Sequence, residues 1–205
     1  MRYIFILLSI CCINACGQEA NYRLIDSGRC DGCEAVLEFG DRKLSSVDTL
    51  PLYEQTNPKI KVFGTVYQPD GITPAEGVIL YLYHTNRDGI YPKRGDEKGW
   101  ARRHGYIRGW VKTDQNGQYA FYTFRPASYP SGTEAEHIHI TVLEPDGKYY
   151  WIGSYLFHDD PLLRDRDIDK TPRGGSDGVL KLTKEGNLLT DRRDIVLGKN
   201  VPDYD

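Results

Sequence analysis

From Lys59 onward the chain repeats one pattern: a short run of β-branched and aromatic residues, closed by a tight-turn signal. "KIKVFGTVYQPDG" alternates and stops at Pro-Asp-Gly, and "GVILYLYHTNRDG" is an apolar, aromatic run closed by Asp-Gly. "IRGWVKTDQNGQYAFYTFRP" reads as two strands of a hairpin around Asp-Gln-Asn-Gly. "HIHITVLEPDGKYYWIGSYLF" repeats the form around Glu-Pro-Asp-Gly-Lys, and "GVLKLTKEGNLLTDRRDIVLG" supplies two more short strands. No long segment carries a 3.6-residue period. Strands at this spacing predict an all-β chain with little helix, an antiparallel sandwich or barrel. The polar stretches 84–106 and 158–176 then become long loops, where functional groups often sit.

The N-terminus reads differently. "MRYIFILLSICCINAC" has one Arg and an apolar run from Tyr3 to Ile13, too short to span a bilayer as a helix. It reads as an export signal. Its ending resembles a bacterial lipoprotein signal, with Ile13 at the aliphatic position, Ala15 at the small one and Cys16 as the lipidated residue. Asn14 departs from that pattern, and a plain secretory signal is the alternative. The expected organisation is a signal peptide over 1–16, cleaved before Cys16, then a tether and N-terminal segment over 17–58, then a sandwich domain over 59–205. Such a protein is exported and anchored by lipid to a face of a bacterial cell-envelope membrane. Cys30 and Cys33, in "RCDGCE", most simply form a local disulfide in that compartment. A redox or metal role is the alternative, although no second C-x-x-C exists to complete a zinc site. The net charge of −3 carries no basic stripe, which argues against a nucleic-acid partner.

Two of the five histidines stand one residue apart, in "EAEHIHITV". Side chains on a strand alternate faces, so His137 and His139 point the same way, with Cα atoms roughly 6–7 Å apart. Two imidazoles at that distance can converge on one metal ion. Ile138, Ile140 and Val142 point to the opposite face and look like core. Glu134 and Glu136 are close in sequence, but a strand running through them would turn them away from the histidines. Tyr91 follows one strand and Tyr129 lies eight residues before His137. Phenolates are hard anionic ligands suited to Fe(III), whose charge offsets the cost of ionising a phenol of ordinary pKa about 10.

With these residues in place the sequence resembles the intradiol ring-cleavage dioxygenases, relatives of catechol and protocatechuate dioxygenases. The resemblance runs from about Lys61 to Asp160, close to half the chain. "GTVYQPDGITPAEGVILYLYHTNRDGIY" is similar to the family's first hairpin, ending in Gly-x-Tyr. "RGWVKTDQNGQYAFYTFRPASYP" resembles the segment that leads to a second tyrosine, and "HIH" and "YLFHDDP" follow in order. The resemblance implies a prealbumin-like β-sandwich with long active-site loops. It implies non-haem Fe(III) held by Tyr91, Tyr129, His137 and His139. It further implies a small aromatic ortho-diol and dioxygen as substrates, with Tyr129 taking up a diol proton as internal base. The ring opens between its two oxygenated carbons to a muconate-type diacid, both atoms of dioxygen being incorporated. The metal acts as Lewis acid and template.

One position breaks the pattern. Most of the family carries Arg-Pro-Ala before H-x-H, and here Glu134 takes the place of that Arg. A placed donor of that kind is worth about 3–4 kcal/mol. Another cation can serve, from Arg102, Arg103 or Arg108 in "GWARRHGYIRGW"; or the substrate carries a different charge, with Glu134 among its contacts; or the fold and iron persist with little turnover. Altered substrate is the favoured reading. The competing functions are a surface β-sandwich that binds carbohydrate, peptide or a partner, and a metal-binding protein without turnover. His84 reads as a strand-end residue near the cavity, His104 and His158 as loop residues, and Arg125 as structural. The sequence is silent on oligomeric state.

Overall fold

Thirteen strands form two sheets in a computed structural model of the chain, which describes residues 21–26 and 30–205. The signal segment and Cys16 lie outside the described residues. The first sheet runs β1 (Arg23–Leu24), β8 (Lys148–Trp151), β7 (His137–Leu143), β4 (Ile79–Tyr83) and β5 (Arg108–Lys112). β9 (Tyr155–Phe157) also pairs with β7, and β10 (Val179–Leu180) with β9. The second runs β11 (Thr183–Glu185), β12 (Leu188–Arg192), β3 (Lys59–Tyr67), β6 (Gln118–Phe124) and β2 (Val47–Thr49), with β13 (Ile195–Val196) beside β3. The central pairs are antiparallel, and the short strands β1, β2, β10, β12 and β13 add on in parallel. The fold is the expected β-sandwich. Its one α-helix among the described residues, α1 (Ala101–His104), is a single turn, and no described helix is long and apolar enough to cross a membrane.

Strand alternation builds the core. Leu80, Leu82, Ile138, Ile140 and Val142 of the first sheet pack against Ile60, Val62, Val66, Tyr119 and Phe121 of the second. The opposite face of the first sheet is covered too. Ile79, Tyr81, Tyr83, Trp110, Leu143 and Tyr149 pack under Cys33, Ala35 and Val36 of the 3-10 turn Cys33–Phe39. The Trp110 indole N–H donates to the Val36 carbonyl at 3.0 Å. A strand covered on both faces loses its alternation, which is why "VILYLY" reads as one apolar run. β1, this turn and β2 are thus built into the sandwich, although the sequence suggested that the domain starts at residue 59.

Two strand pairings differ from expectation. The Asp-Gln-Asn-Gly turn is present, with Asp114 Oδ1 accepting the N–H groups of Asn116 and Gln118 at 2.9 Å. Its flanking strands do not pair with each other: β5 joins β4 in the first sheet, and β6 joins β3 in the second. β3 and β4, read as a hairpin, are likewise split between the sheets. A turn signal reports that the chain reverses, not which layer it enters.

His84, at the end of β4, is fully buried and ties the two layers together. Its Nε2 lies 2.6 Å from Thr123 Oγ1 on β6, and its Nδ1 2.7 Å from the Thr85 carbonyl. Burial lowers its pKa from 6.5 to about 4. The folded state therefore refuses a proton that the unfolded chain takes up below pH 6.5, so stability falls as pH drops from there towards 4. This costs about 3 kcal/mol when complete. His104, also lowered to about 4 by burial, titrates over the same window. Urea unfolding at a series of pH values should show this acid limb, and His84→Gln should flatten about half of it.

Candidate active site

The two loops that carry the tyrosines are strapped together before either tyrosine is reached. Asn86 Oδ1 accepts the N–H groups of Asp88 and Ile90 at 3.0 Å, an Asx-type turn that reverses the chain ahead of Tyr91. The Asn86 carbonyl accepts the Ala127 N–H at 3.2 Å, and Thr85 Oγ1 donates to the Ala127 carbonyl at 2.7 Å. Arg87 donates to the carbonyls of Arg125 and Pro126 at 3.1 and 2.9 Å. Gly89 sits between the loops at φ +73°, and a Cβ there would lie 2.0 Å from the Ser128 carbonyl oxygen. Glycine is what lets the loops approach this closely.

Strand β7 supplies the histidines. His137 and His139 lie on its outer face, opposite the core residues Ile138 and Ile140. Four polar atoms meet above that face. Tyr91 Oη lies 2.6 Å from Tyr129 Oη and 2.9 Å from His139 Nε2. His137 Nε2 is 3.1 Å from both Tyr129 Oη and His139 Nε2, and Tyr129 Oη is 3.4 Å from His139 Nε2. His137 Nδ1–H donates to the Ala135 carbonyl at 2.7 Å, which leaves the Nε2 lone pair facing the cluster. The His139 ring stacks on Tyr83 at 4.3 Å, and Tyr83 stacks in turn on His104 at 3.7 Å, which fixes the plane of the imidazole.

The electrostatics ask for a cation. Burial raises the pKa of Tyr91, further raised by Tyr129 beside it, and burial also raises that of Tyr129. Burial and the neighbouring His137 hold His139 well below its ordinary value, so its imidazole is neutral at pH 7. Phenols in such a site stay protonated unless a positive charge lies among them. Ligands about 2.0–2.2 Å from one ion stand about 3–3.5 Å from one another, which matches most of the spacings here. The donor set therefore fits a hard, highly charged ion. Among the described residues no group of three or more His, Cys, Asp and Glu is placed to hold a metal; half of this set is phenolic.

Two cavities flank the donors. One, of about 240 Å³, is lined by His137, His139, Glu134, Trp151 and, from the loop after β9, Asp167, Asp169, Arg173 and Asp177. The other, of about 310 Å³, is lined by Tyr91, Tyr129, His139, Trp151 and the Cys30–Gly32 turn with Arg103.

Comparisons with known proteins decide what such a site belongs to. No family model matches the chain. It is 30% identical over 161 residues to the protocatechuate 3,4-dioxygenase beta chain of Burkholderia cepacia, an alignment covering 70% of this chain and 66% of that one. The chain belongs to the intradiol ring-cleavage dioxygenase family. Catechol 1,2-dioxygenase 1 of Acinetobacter lwoffii is 33% identical over 100 residues, covering 47% of this chain and 30% of that one. The chain thus spans about two thirds of the first relative and under a third of the second. In fold it is similar to the dioxygenase domain of a dioxygenase and carbohydrate-binding protein fusion from Streptomyces sp. SirexAA-E. That match has TM-score 0.56 and 21% identity, over 78% of this chain and 94% of that one.

Within this intradiol-family site the candidate substrate contacts separate. Arg108 is drawn away under the sheet cover, bonded to Glu38 at 2.6 Å and lying over the Trp110 ring. Arg102 bonds the Glu97 carbonyl and lines neither cavity. Arg103 does reach the second cavity, as a bidentate partner of Asp31 at 2.7 and 3.1 Å. Glu134 overturns the alternation argument. β7 begins at His137, so the residues before it are not bound by strand geometry, and Glu134 lines the same cavity as the histidines. Glu136 does turn away, pairing with Arg125, which also bonds Asp159 at 2.9 Å. Arg125 thereby holds the loop that carries Tyr129 against the start of β7.

Cys30 and Cys33 are joined as a disulfide, Cα atoms 5.7 Å apart. His84 lines neither cavity, whereas His104 is buried in α1 and lines the second. Arg173, Asp167, Asp169 and Asp177 are cavity residues that sequence reading passed over as loop. Nothing in their local pattern marks them. Asn86 and Gly89 could have been found, because Asn-x-Asp-Gly directly after a strand is a turn with a stated geometry.

Proposed function

We propose that the chain is a non-haem Fe(III) intradiol dioxygenase that opens a catechol-like ortho-diol ring with dioxygen to a muconate-type diacid. The observation that carries this reading is the convergence of Tyr91, Tyr129, His137 and His139, whose polar atoms stand 2.6–3.4 Å apart. Those four side chains would hold the ion. Bound there, Fe(III) supplies Lewis acidity and a template for the two diol oxygens.

The remaining work falls to the chain. Tyr129 accepts a diol proton at Oη, and the burial that raises its pKa keeps that proton in place. Tyr91 is held by the Asn86 turn and keeps its position while Tyr129 exchanges protons. Trp151, shared by both cavities, offers an aromatic wall to the ring. The Cys30–Gly32 turn, clamped by Arg103 to Asp31, covers the donors and limits water. Family membership supports dioxygenase chemistry, and the donor set supports iron. The N-terminal pattern ending in Cys16 supports an exported enzyme anchored by lipid to a face of a bacterial cell-envelope membrane, which radiolabelled palmitate incorporation into wild type and not Cys16→Ser would test.

Purified protein should be reddish to purple from tyrosinate bound to ferric iron, and should consume dioxygen with catechol. Chelation under reducing conditions should bleach the band and stop uptake, and added ferrous iron in air should restore both. Colourless protein that carries zinc or takes up no iron would refute the reading.

A further inference from the structure

We infer that the cavity beside His137 and His139 selects an aromatic ortho-diol bearing a positively charged substituent. This rests on the intradiol reading for the diol, while the charge preference stands on the cavity itself. Its near wall is the histidine pair, its side is Trp151, and its remaining ionisable lining is Glu134, Asp167, Asp169, Asp177 and Arg173. Four carboxylates thus face one guanidinium.

That guanidinium is already committed. Arg173 is 4% exposed, is paired with Asp26, donates to the Trp151 carbonyl at 3.3 Å and lies over the Trp151 ring. It cannot offer a free fork to a carboxylate ligand without giving up Asp26. The carboxylates are not so held. Among the described residues Glu134, Asp169 and Asp177 join no ion pair, while Asp167 meets solvent-open Arg166 at 3.8 Å and accepts the Arg164 N–H at 3.0 Å. Asp169 and Asp177 are oriented by accepting the backbone N–H groups of Thr171 and Val179 at 3.0 Å, each through one oxygen. The other oxygen is left for a ligand. The second cavity supplies no compensating cation, since Arg103 is neutralised by Asp31.

A diol placed at the donors would therefore point its ring substituent past Trp151 towards carboxylates. An ammonium group gains there from the carboxylates. A ring carboxylate meets like charge and no available guanidinium. At about 240 Å³ the cavity takes one small ring with a short side chain.

The test compares dopamine, catechol and protocatechuate, which carry cationic, neutral and anionic rings on the same diol. We expect kcat/KM to fall in that order, with dopamine about a hundred-fold above protocatechuate at low salt and the gap narrowing at about 0.5 M salt. Glu134→Gln with Asp177→Asn should shrink the ratio by about ten-fold. Glu134→Gln alone, a substitution at an exposed loop residue, should shrink it several-fold if the double variant folds poorly. Binding of tyramine and para-hydroxybenzoate, single phenols that cannot be cleaved as diols, is measured calorimetrically on the same full-length protein. Tyramine should bind at least ten-fold more tightly. Equal binding, or preference for the benzoate or for protocatechuate, overturns the inference. If none of the three diols is cleaved by iron-loaded protein, the dioxygenase reading fails, and the tyramine comparison still decides the charge preference.

Discussion

Tyr129→Phe is expected to weaken and shift the visible band, Tyr91 remaining as the second tyrosinate, and to lower ring cleavage by about a thousand-fold or more, while leaving the fold intact. The substitution removes one oxygen and nothing else. That oxygen stands 2.6 Å from Tyr91 Oη, 3.1 Å from His137 Nε2 and 3.4 Å from His139 Nε2, so it touches every other donor in the cluster. Without it the proposed ion loses an anionic ligand and the diol loses its proton acceptor. The ring lies half-buried on a loop outside the core, so unfolding free energy should stay within about 1 kcal/mol of wild type. Visible absorption, iron content and urea unfolding measured on one preparation separate these effects. A variant whose band is unchanged in both position and intensity would show that Tyr129 is not a ligand.

Gly89→Ala should do comparable damage from a residue that bears no functional group. Its φ of +73° is one that costs an L-residue roughly 1–2 kcal/mol. Its new Cβ would also stand 2.0 Å from the Ser128 carbonyl, a backbone atom that moves only with the loop that holds Tyr129. The two tyrosines would be driven apart. We expect a loss of about 2–4 kcal/mol in stability and at least about a ten-fold weaker retention of iron. Gly132→Ala is the control: it also has positive φ, +62°, but nothing lies within 4 Å of its Cβ position. It should show the conformational cost alone and keep its iron. Equal iron affinity in the two variants would mean that loop contact does not set the site.

What could be read from the sequence was what local geometry decides. Alternation on β7 placed the histidines on one face and Ile138, Ile140 and Val142 on the other, and the sandwich followed from repeated short strands and turns. Resemblance, not spacing, drew in Tyr91 and Tyr129, which lie on loops far apart in the chain. The features that stayed hidden depend on contacts between distant segments. The Asp-Gln-Asn-Gly turn looks like a hairpin, and only the competing partners β3 and β4 send its two strands into separate sheets. Glu134 was misjudged because alternation was extended past the point where β7 begins. Asp169, Asp177 and Arg173 become cavity residues only because the loop after β9 folds back beside Trp151. The cover formed by Cys33–Phe39 was hidden for a related reason: a short 3-10 turn has no period to recognise, and its burial shows only as lost alternation in β4.

β7 has core on one face and the donors on the other, and this makes the site a proofreader of assembly. A slip of one residue against β4 or β8 would exchange the two faces, sending His137 and His139 into the apolar interior and Ile138 and Ile140 out to the tyrosines. No partly correct version exists, because the period is two. A preparation that holds its ion through these four side chains has thereby certified the register of its central strand. Core substitutions on Ile138 or Ile140 should for the same reason be visible from the other side of the sheet, as a change in the spectrum before any change in the amount of folded protein.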